Sequence, residues 1–185
     1  MDPLFAMTVA VFLGALTGGA GVHKLAAPDQ FRQVLSAYGL LPPSLTPIAA
    51  WIIPFVDLTV ALMLFMMLLV PSVGGAGAVL AAALFAFYGL AIAINLLRGR
   101  RDFDCGCSWG GAGNAGQGQI HWGLVIRNAV LVALALALVF GEASRLATWL
   151  DRVNAVAAGL AFGVIWIAFD ILLANHRSIR LGRAS

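Results

Sequence analysis

Five long apolar runs dominate the pattern of hydrophobic and polar positions along the chain. Each is close to or above the length of about 18 residues that a helix needs to cross the hydrocarbon core of a bilayer. A helix satisfies every backbone hydrogen-bonding group within its own segment, as hydrocarbon requires. The pattern therefore predicts five transmembrane helices, over Leu4–Val22, Ile48–Val70, Val73–Leu97, Leu124–Phe140 and Val153–Ala174.

Composition supports the same fold class. Of the 185 residues, 62% are hydrophobic and 10% are charged, whereas a soluble domain has roughly 25% charged residues. We expect an all-α integral membrane protein in which residues 1–185 form a single transmembrane helical domain surrounded by lipid. The excess of basic residues is typical of membrane loops, so no nucleic-acid partner is expected.

Small residues and turn formers add detail to this bundle. Gly14 and Gly18 in the first span, and Gly159 and Gly163 in the fifth, have the spacing that allows close helix contact. This contact could lie within the bundle or in a dimer. Pro71 and the "GGAG" at 74–77 predict a tight turn between the second and third spans.

The connection between the first two spans carries its own pattern. Phe31, Val34, Leu35 and Tyr38 follow the spacing i, i+3, i+4, i+7, which predicts a short amphipathic helix over residues 28–38. Such a helix is typical of the membrane interface. The "YGLLPP" that follows should end it.

Charged residues also occur within or at the ends of the spans, namely Lys24, Asp57, His121, Arg127 and Asp170. Isolated charges in hydrocarbon are costly, so they usually pair or face an aqueous cavity. We predict that Asp57 pairs with Arg127 or Lys24, while Lys24 and Asp170 are near enough to the interface to snorkel. The sequence is compatible both with a purely structural ion pair at Asp57 and with a role of this pair in the chemistry.

The connection after the third span, "RDFDCGCSWGG", contains both cysteines of the chain, Cys105 and Cys107. A disulfide across one glycine is strained, and strained disulfides are the labile or catalytic ones. The pair is therefore predicted to be redox-active, with Asp57, Arg127, His121 and Lys24 shaping its environment. Two alternatives remain: a metal site completed by His121 or Asp104, and two ordinary loop cysteines.

The metal interpretation and the redox interpretation each carry a chemical requirement. A zinc site usually shows two separated ligand pairs, and only one is clear here, so no metal ligand is assigned. A single cysteine pair cannot pass electrons between two internal disulfides, so a redox cycle needs an outside thiol protein. It also needs a second thiol protein or a bound acceptor, for which a quinone is the candidate cofactor, with no binding residues assigned.

Five spans place the two termini on opposite sides of the membrane. Two basic residues, Arg145 and Arg152, lie on the side of the N-terminus, and Arg127 lies within a span. The other eight lie on the side of the cysteine connection, which the positive-inside rule makes cytoplasmic. They are Lys24, Arg32, Arg98, Arg100, Arg101, Arg177, Arg180 and Arg183.

Three stretches carry a resemblance to a known family. The run "GAGVHKLAAPDQFRQVLSAYGLLPPSL", the later "IIPFVDLTVALML" and the "FDCGC" after the third span resemble MauE, the methylamine utilisation membrane proteins. They resemble the DoxX-like membrane proteins more loosely. The likeness covers essentially the whole chain and implies a multi-pass protein of the bacterial inner membrane.

The resemblance also implies partners. A MauE protein acts with the thioredoxin-like MauD in producing the disulfide-rich, exported β-subunit of methylamine dehydrogenase. Cys105 and Cys107 would then exchange disulfides with the MauD-like partner, as a thiol–disulfide oxidoreductase serving maturation, disulfide formation or export of that subunit. The alternatives are a non-enzymatic scaffold that docks the partner or the subunit, and a metal-binding membrane protein.

These implications conflict on one point. A periplasmic partner favours cysteines on the periplasmic side, whereas the eight-to-two distribution of basic loop residues favours the cytoplasmic side. The sequence therefore leaves the membrane side of the cysteine segment undecided. The implied partner favours periplasmic thiol chemistry. The direction of electron flow and the oligomeric state do not follow from the sequence.

Overall fold

The computed structural model describes residues 2–100, 120–140 and 145–182. Throughout these ranges the secondary structure is helical and contains no strand. The helices are α1 (Pro3–Ala26), α2 (Pro28–Tyr38), α3 (Thr46–Met66), α4 (Pro71–Leu97), α5 (Trp122–Phe140) and α6 (Trp149–Gly182). All except α2 contain a stretch long and apolar enough to cross a membrane, which confirms the five predicted spans.

Helix α1 lies at the centre of the bundle. It packs against α3 on one flank and α6 on another, and it also contacts α4 and α5. Helix α4 packs between α3 and α5. The core that they enclose is built from apolar residues of α1, α3, α4 and α5. Helix α6 packs against α1 on the outside of this four-helix core.

Glycines allow α1 to approach its neighbours closely. A Cβ atom at Gly14 would lie 3.1 Å from the Phe65 ring, and one at Gly18 would lie 3.3 Å from Ala61, both on α3. The predicted close contact at these glycines is thus confirmed, within the chain. At the second pair only Gly159 makes such a contact, with α1, while a Cβ at Gly163 would meet nothing within 4 Å.

The predicted turn between the second and third spans is misplaced. Helix α4 already begins at Pro71, and residues 74–77 lie within it. A Cβ at Gly77 would lie 2.8 Å from that of Met63 on α3. These glycines therefore allow the start of α4 to pack against the end of α3, and the turn itself lies before Pro71.

Polar contacts show which helix ends share a side. Arg145 bonds to Asp2 at the start of α1 (3.3 Å) and to Asp151 in the first turn of α6 (2.7 Å). The start of α1 and the start of α6 therefore lie at the same end of the bundle. This is what alternating spans predict, because α1 is the first span and α6 is the fifth.

At the opposite end, α2 forms over the predicted residues. Phe31 and Tyr38 on its apolar face are buried, while Asp29, Arg32 and Gln33 are exposed. It ends at Gly39, whose φ of 59° is the left-handed conformation that favours glycine. The location of α2 at a membrane interface stays a prediction.

Candidate functional site

Three side chains from three helices form a closed hydrogen-bonded triangle inside the bundle. The Nζ atom of Lys24, near the end of α1, lies 2.6 Å from Oδ2 of Asp57 on α3. It also donates to the hydroxyl of Tyr88 on α4, at 3.0 Å. That hydroxyl in turn donates to Oδ1 of Asp57, at 2.7 Å. Asp57 is thus paired with one of its two predicted partners, Lys24.

The depth of Lys24 differs from the expectation. The sequence predicts that Lys24 is near enough to the interface to snorkel, but its side chain is only 2% exposed and that of Asp57 only 1%. Asp57 lies eleven residues after the start of α3, and Tyr88 lies nine before the end of α4. At about 1.5 Å per residue, α1 therefore ends roughly 10 Å below the ends of α3 and α4 on this side.

Helix α2 fills the space that the short end of α1 leaves. It contacts both α1 and α3, and the ring centre of Phe31 lies 5.2 Å from the Lys24 ammonium. The ring of Tyr88 lies 4.5 Å from the same ammonium. Both distances are in the range of cation–π attraction, so Phe31 covers the triangle from the side of α2.

The other intramembrane charges form a second, separate pair. Arg127 of α5 lies 2.7 Å from Asp170 of α6, with side chains 18% and 20% exposed. Arg127 is therefore not the partner of Asp57, and Asp170 is engaged in an ion pair with a protein group. The Trp166 ring lies 5.9 Å from the Arg127 guanidinium and stacks edge-to-face on Phe12 of α1 at 5.6 Å.

His121 lies immediately before α5. Its side chain is half-buried, and its ring lies close over Gly123, where a Cβ would come within 2.8 Å of it. Of the four residues predicted to support the cysteines, the structure thus joins Lys24 to Asp57 and leaves Arg127 and His121 at other positions.

Cys105 and Cys107 lie outside the described residues, but both flanks of their segment are described. On one flank, the Arg100 guanidinium lies against Gly39, at the end of α2. On the other, Ile120 is buried in a cluster with Tyr38, Ile92 and Leu96. Both flanks therefore meet the C-terminal end of α2, the helix that covers Lys24.

The described ranges contain no group of three or more His, Cys, Asp or Glu residues placed to hold a metal ion. The predicted metal alternative depends on the two cysteines and Asp104, which lie outside those ranges. It is therefore untested by this geometry.

Sequence reasoning missed Tyr88 and Trp166. Tyr88 gave no signal in isolation because a tyrosine in a long apolar run is usually a packing residue. Its one available clue is the hydroxyl, since a buried Tyr O–H usually finds a hydrogen-bond partner. Trp166 had the same kind of clue in its indole N–H.

Comparison with known proteins gives consistent matches. The family model described as methylamine utilisation protein MauE matches residues 2–141. The methylamine utilization protein MauE of Paracoccus denitrificans is 33% identical over 93% of this chain and 89% of its own length. That of Methylorubrum extorquens is 33% identical over the whole chain and 91% of its own length. No solved structure matches the chain.

Proposed function

The chain belongs to the MauE family of methylamine utilisation proteins, and from this premise we propose that it is the membrane thiol–disulfide redox component of that system. Cys105 and Cys107 form the redox pair. Their partner is a thioredoxin-like, MauD-like protein, and the process served is maturation of the methylamine dehydrogenase β-subunit. The observation that carries the proposal is the anchoring of both flanks of the cysteine segment at the end of α2, above a buried charged triangle.

The exchange reaction balances as follows. A thiolate of the pair attacks the partner's disulfide, forming a mixed disulfide and releasing one partner thiolate. The second cysteine attacks the mixed disulfide, which forms the Cys105–Cys107 bond and releases the partner's other thiolate. Two electrons and two protons pass between the pairs, and the reverse sequence oxidises the partner. When the pair ends as a disulfide, the dithiol of a second thiol protein must reduce it; when it ends as a dithiol, the disulfide of a second thiol protein or a quinone must oxidise it.

In this proposal the triangle supports the cysteines indirectly. A buried ion pair held in a triangle of three hydrogen bonds has one favoured geometry, because any displacement leaves a charge unsatisfied in a medium of low dielectric constant. Lys24 and Asp57 therefore fix the depth at which α1 ends. Phe31 rests on Lys24, so the position of α2, and with it the two flanks of the segment, is fixed as well.

We assign the protein to the bacterial inner membrane and the thiol chemistry to its periplasmic side. The implied partner and substrate work in the periplasm, and that outweighs the basic residues on this side of the chain. The guanidinium of Arg100 lies against the end of α2. Because this basic residue has a structural role, it counts less as evidence that the cysteine segment is cytoplasmic.

The proposal is tested by replacing each cysteine in a strain whose methylamine dehydrogenase can be recovered. Cys105→Ser and Cys107→Ser should each abolish formation of the fully disulfide-bonded β-subunit, while membrane insertion stays normal. Ser108→Ala, next to the pair, is the matched control and should mature the subunit like the wild type. A normal β-subunit in either cysteine variant would refute the redox role.

The same variants separate a redox component from a docking scaffold. A scaffold would bind the thioredoxin-like protein and support maturation equally well with both cysteines replaced by serine. Co-purification of the partner with the double variant, together with normal maturation, would favour the scaffold over the proposed exchange reaction.

A further inference from the structure

A second polar site lies within the membrane-spanning part of the bundle, apart from the Lys24 triangle. It is formed by Arg127 on α5 and by Asp170 and Trp166 on α6. The charges of Arg127 and Asp170 cancel across their 2.7 Å ion pair. Aromatic rings lie on one side of the pair, since the Trp166 ring is 5.9 Å from the Arg127 guanidinium and stacks on Phe12 of α1.

Two hydrogen-bond donors of this site are left without acceptors. Nε of Arg127 and Nε1 of Trp166 are both buried, and neither has a hydrogen-bond partner within the described part of the chain. Buried N–H groups are almost always bonded, and each exception calls for an explanation. In hydrocarbon the cost of an unpaired donor is not relieved by bulk water. Two such donors, on side chains whose guanidinium and ring centre lie 5.9 Å apart, indicate a missing acceptor.

The chemistry of the site limits what that acceptor can be. Because the ion pair is already neutral, an anion such as a phosphate headgroup would bring an uncompensated negative charge into the membrane. The free groups are donors only, so the ligand must offer acceptor oxygens. The aromatic rings favour a flat, apolar body. A neutral ring bearing carbonyl groups meets all three requirements.

We propose that the Arg127–Asp170–Trp166 site binds a quinone from the bilayer, with a carbonyl oxygen accepting hydrogen bonds from Nε of Arg127 and Nε1 of Trp166. The ion pair, about one fifth exposed, forms the outer rim of the site. This inference rests on the proposed function, for which it names the second reactant.

A quinone also fixes the direction of electron flow. The partner's dithiol reduces the Cys105–Cys107 disulfide by thiol–disulfide exchange, and the partner becomes a disulfide. The resulting Cys105–Cys107 dithiol then gives two electrons and two protons to the quinone. The products are the Cys105–Cys107 disulfide and a hydroquinone. The regenerated disulfide can react with another partner dithiol, so the pair acts as an oxidant of its partner.

The test measures binding of ubiquinone-1 to the purified full-length protein in detergent micelles by isothermal titration calorimetry. Trp166→Phe keeps an aromatic ring but removes the indole N–H, and Arg127→Lys keeps the charge opposite Asp170 but removes Nε. Each variant should weaken binding about tenfold, the loss expected for one hydrogen bond. Trp51→Phe is the matched control. Trp51 is exposed on α3, a helix that contributes no residue to the site, so its variant should bind like the wild type.

Three results would overturn the quinone site: no binding by the wild type, wild-type affinity in both Trp166→Phe and Arg127→Lys, or a loss only in Trp51→Phe. The double variant Cys105→Ser/Cys107→Ser separates this inference from the proposed function. It should bind ubiquinone-1 with wild-type affinity, because the site contains neither cysteine. Failure of quinone binding would leave the exchange reaction to its own test, with a second thiol protein as the remaining acceptor.

Discussion

The ammonium group of Lys24 lies 2.6 Å from the carboxylate of Asp57, and both side chains are almost completely buried. Burying two charges is costly, and their attraction repays this cost only when the geometry is good and further hydrogen bonds satisfy the remaining groups. Tyr88 supplies those bonds to both partners. The triangle therefore specifies how α1, α3 and α4 come together at the end of the bundle that carries α2.

Removing one partner of this pair should be far more damaging than removing both. Lys24→Met and Asp57→Leu should each lower the free energy of unfolding by about 3–5 kcal/mol, because each leaves an unpaired buried charge. The double variant should lose less than the sum, and less than either single change. Unfolding by sodium dodecyl sulfate in mixed micelles measures all three.

Arg152→Ala provides the control for that cycle. Its side chain is exposed on α6, so its removal should change the free energy of unfolding by no more than about 0.5 kcal/mol. Additive losses in the Lys24 and Asp57 variants would show that the two charges are not energetically coupled.

Tyr88→Phe should isolate the contribution of the bridging hydroxyl. The ring is kept, and with it the contact with the Lys24 ammonium, but two hydrogen bonds to charged groups are lost. We expect a loss of about 1–3 kcal/mol in the free energy of unfolding. Thr59→Val is the control, because Thr59 is exposed and bonds only to the carbonyl of Phe55 in its own helix. A loss no larger than that of Thr59→Val would contradict the role of the hydroxyl.

Helix α6 offers a matched pair of glycines. A Cβ at Gly159 would lie 2.6 Å from the side chain of Val11 and 2.9 Å from the carbonyl oxygen of Thr8, whereas one at Gly163 would meet nothing within 4 Å. Gly159→Ala should therefore lower the free energy of unfolding by about 1–3 kcal/mol. Gly163→Ala should be neutral or stabilising by up to about 1 kcal/mol. Equal effects would show that α6 does not pack closely on α1 at Gly159.

The side of the cysteine segment is accessible to chemical labelling. With disulfides first reduced and a membrane-impermeant maleimide then added to cells whose outer membrane alone is permeabilised, Cys105 and Cys107 should be labelled, as periplasmic thiol chemistry requires. The control is Leu146→Cys in a chain lacking both native cysteines, because Leu146 is 91% exposed and lies at the opposite end of the bundle. Labelling of Leu146→Cys but not of the native pair would place the pair in the cytoplasm.

The spans and α2 could be predicted because each depends on a local pattern. An apolar run of sufficient length has few alternatives to a transmembrane helix. The spacing of Phe31 and Tyr38, with Gly39 beyond them, was enough to define α2. The turn before α4 was misplaced because a run of glycines resembles a loop unless the neighbouring helix is known to pack against it, as Met63 does at Gly77.

The pairing of charges was only partly predictable, because it depends on the relative depth of helix ends. Lys24 is near the end of its apolar run, so the sequence suggested that it reaches the interface. The structure shows that α3 and α4 continue well beyond α1, which buries Lys24 beside Asp57. Asp170 is likewise predicted to be near enough to the interface to snorkel, yet it pairs with Arg127. The sequence places Asp57 well inside its apolar run, but which helices supply the partners of Asp57 and Arg127 cannot be derived from a single helix.

The most direct test of the central claim is to trap the exchange reaction on the protein itself. Cys105→Ser and Cys107→Ser are each expressed in cells that are grown on another carbon source and induced with methylamine; the cells are quenched with acid and the variants are purified without reductant. At least one should carry a disulfide-linked thioredoxin-like protein that mass spectrometry identifies and that dithiothreitol releases. If neither variant is linked to another polypeptide while the remaining thiol is still reactive, Cys105 and Cys107 do not exchange disulfides with a partner.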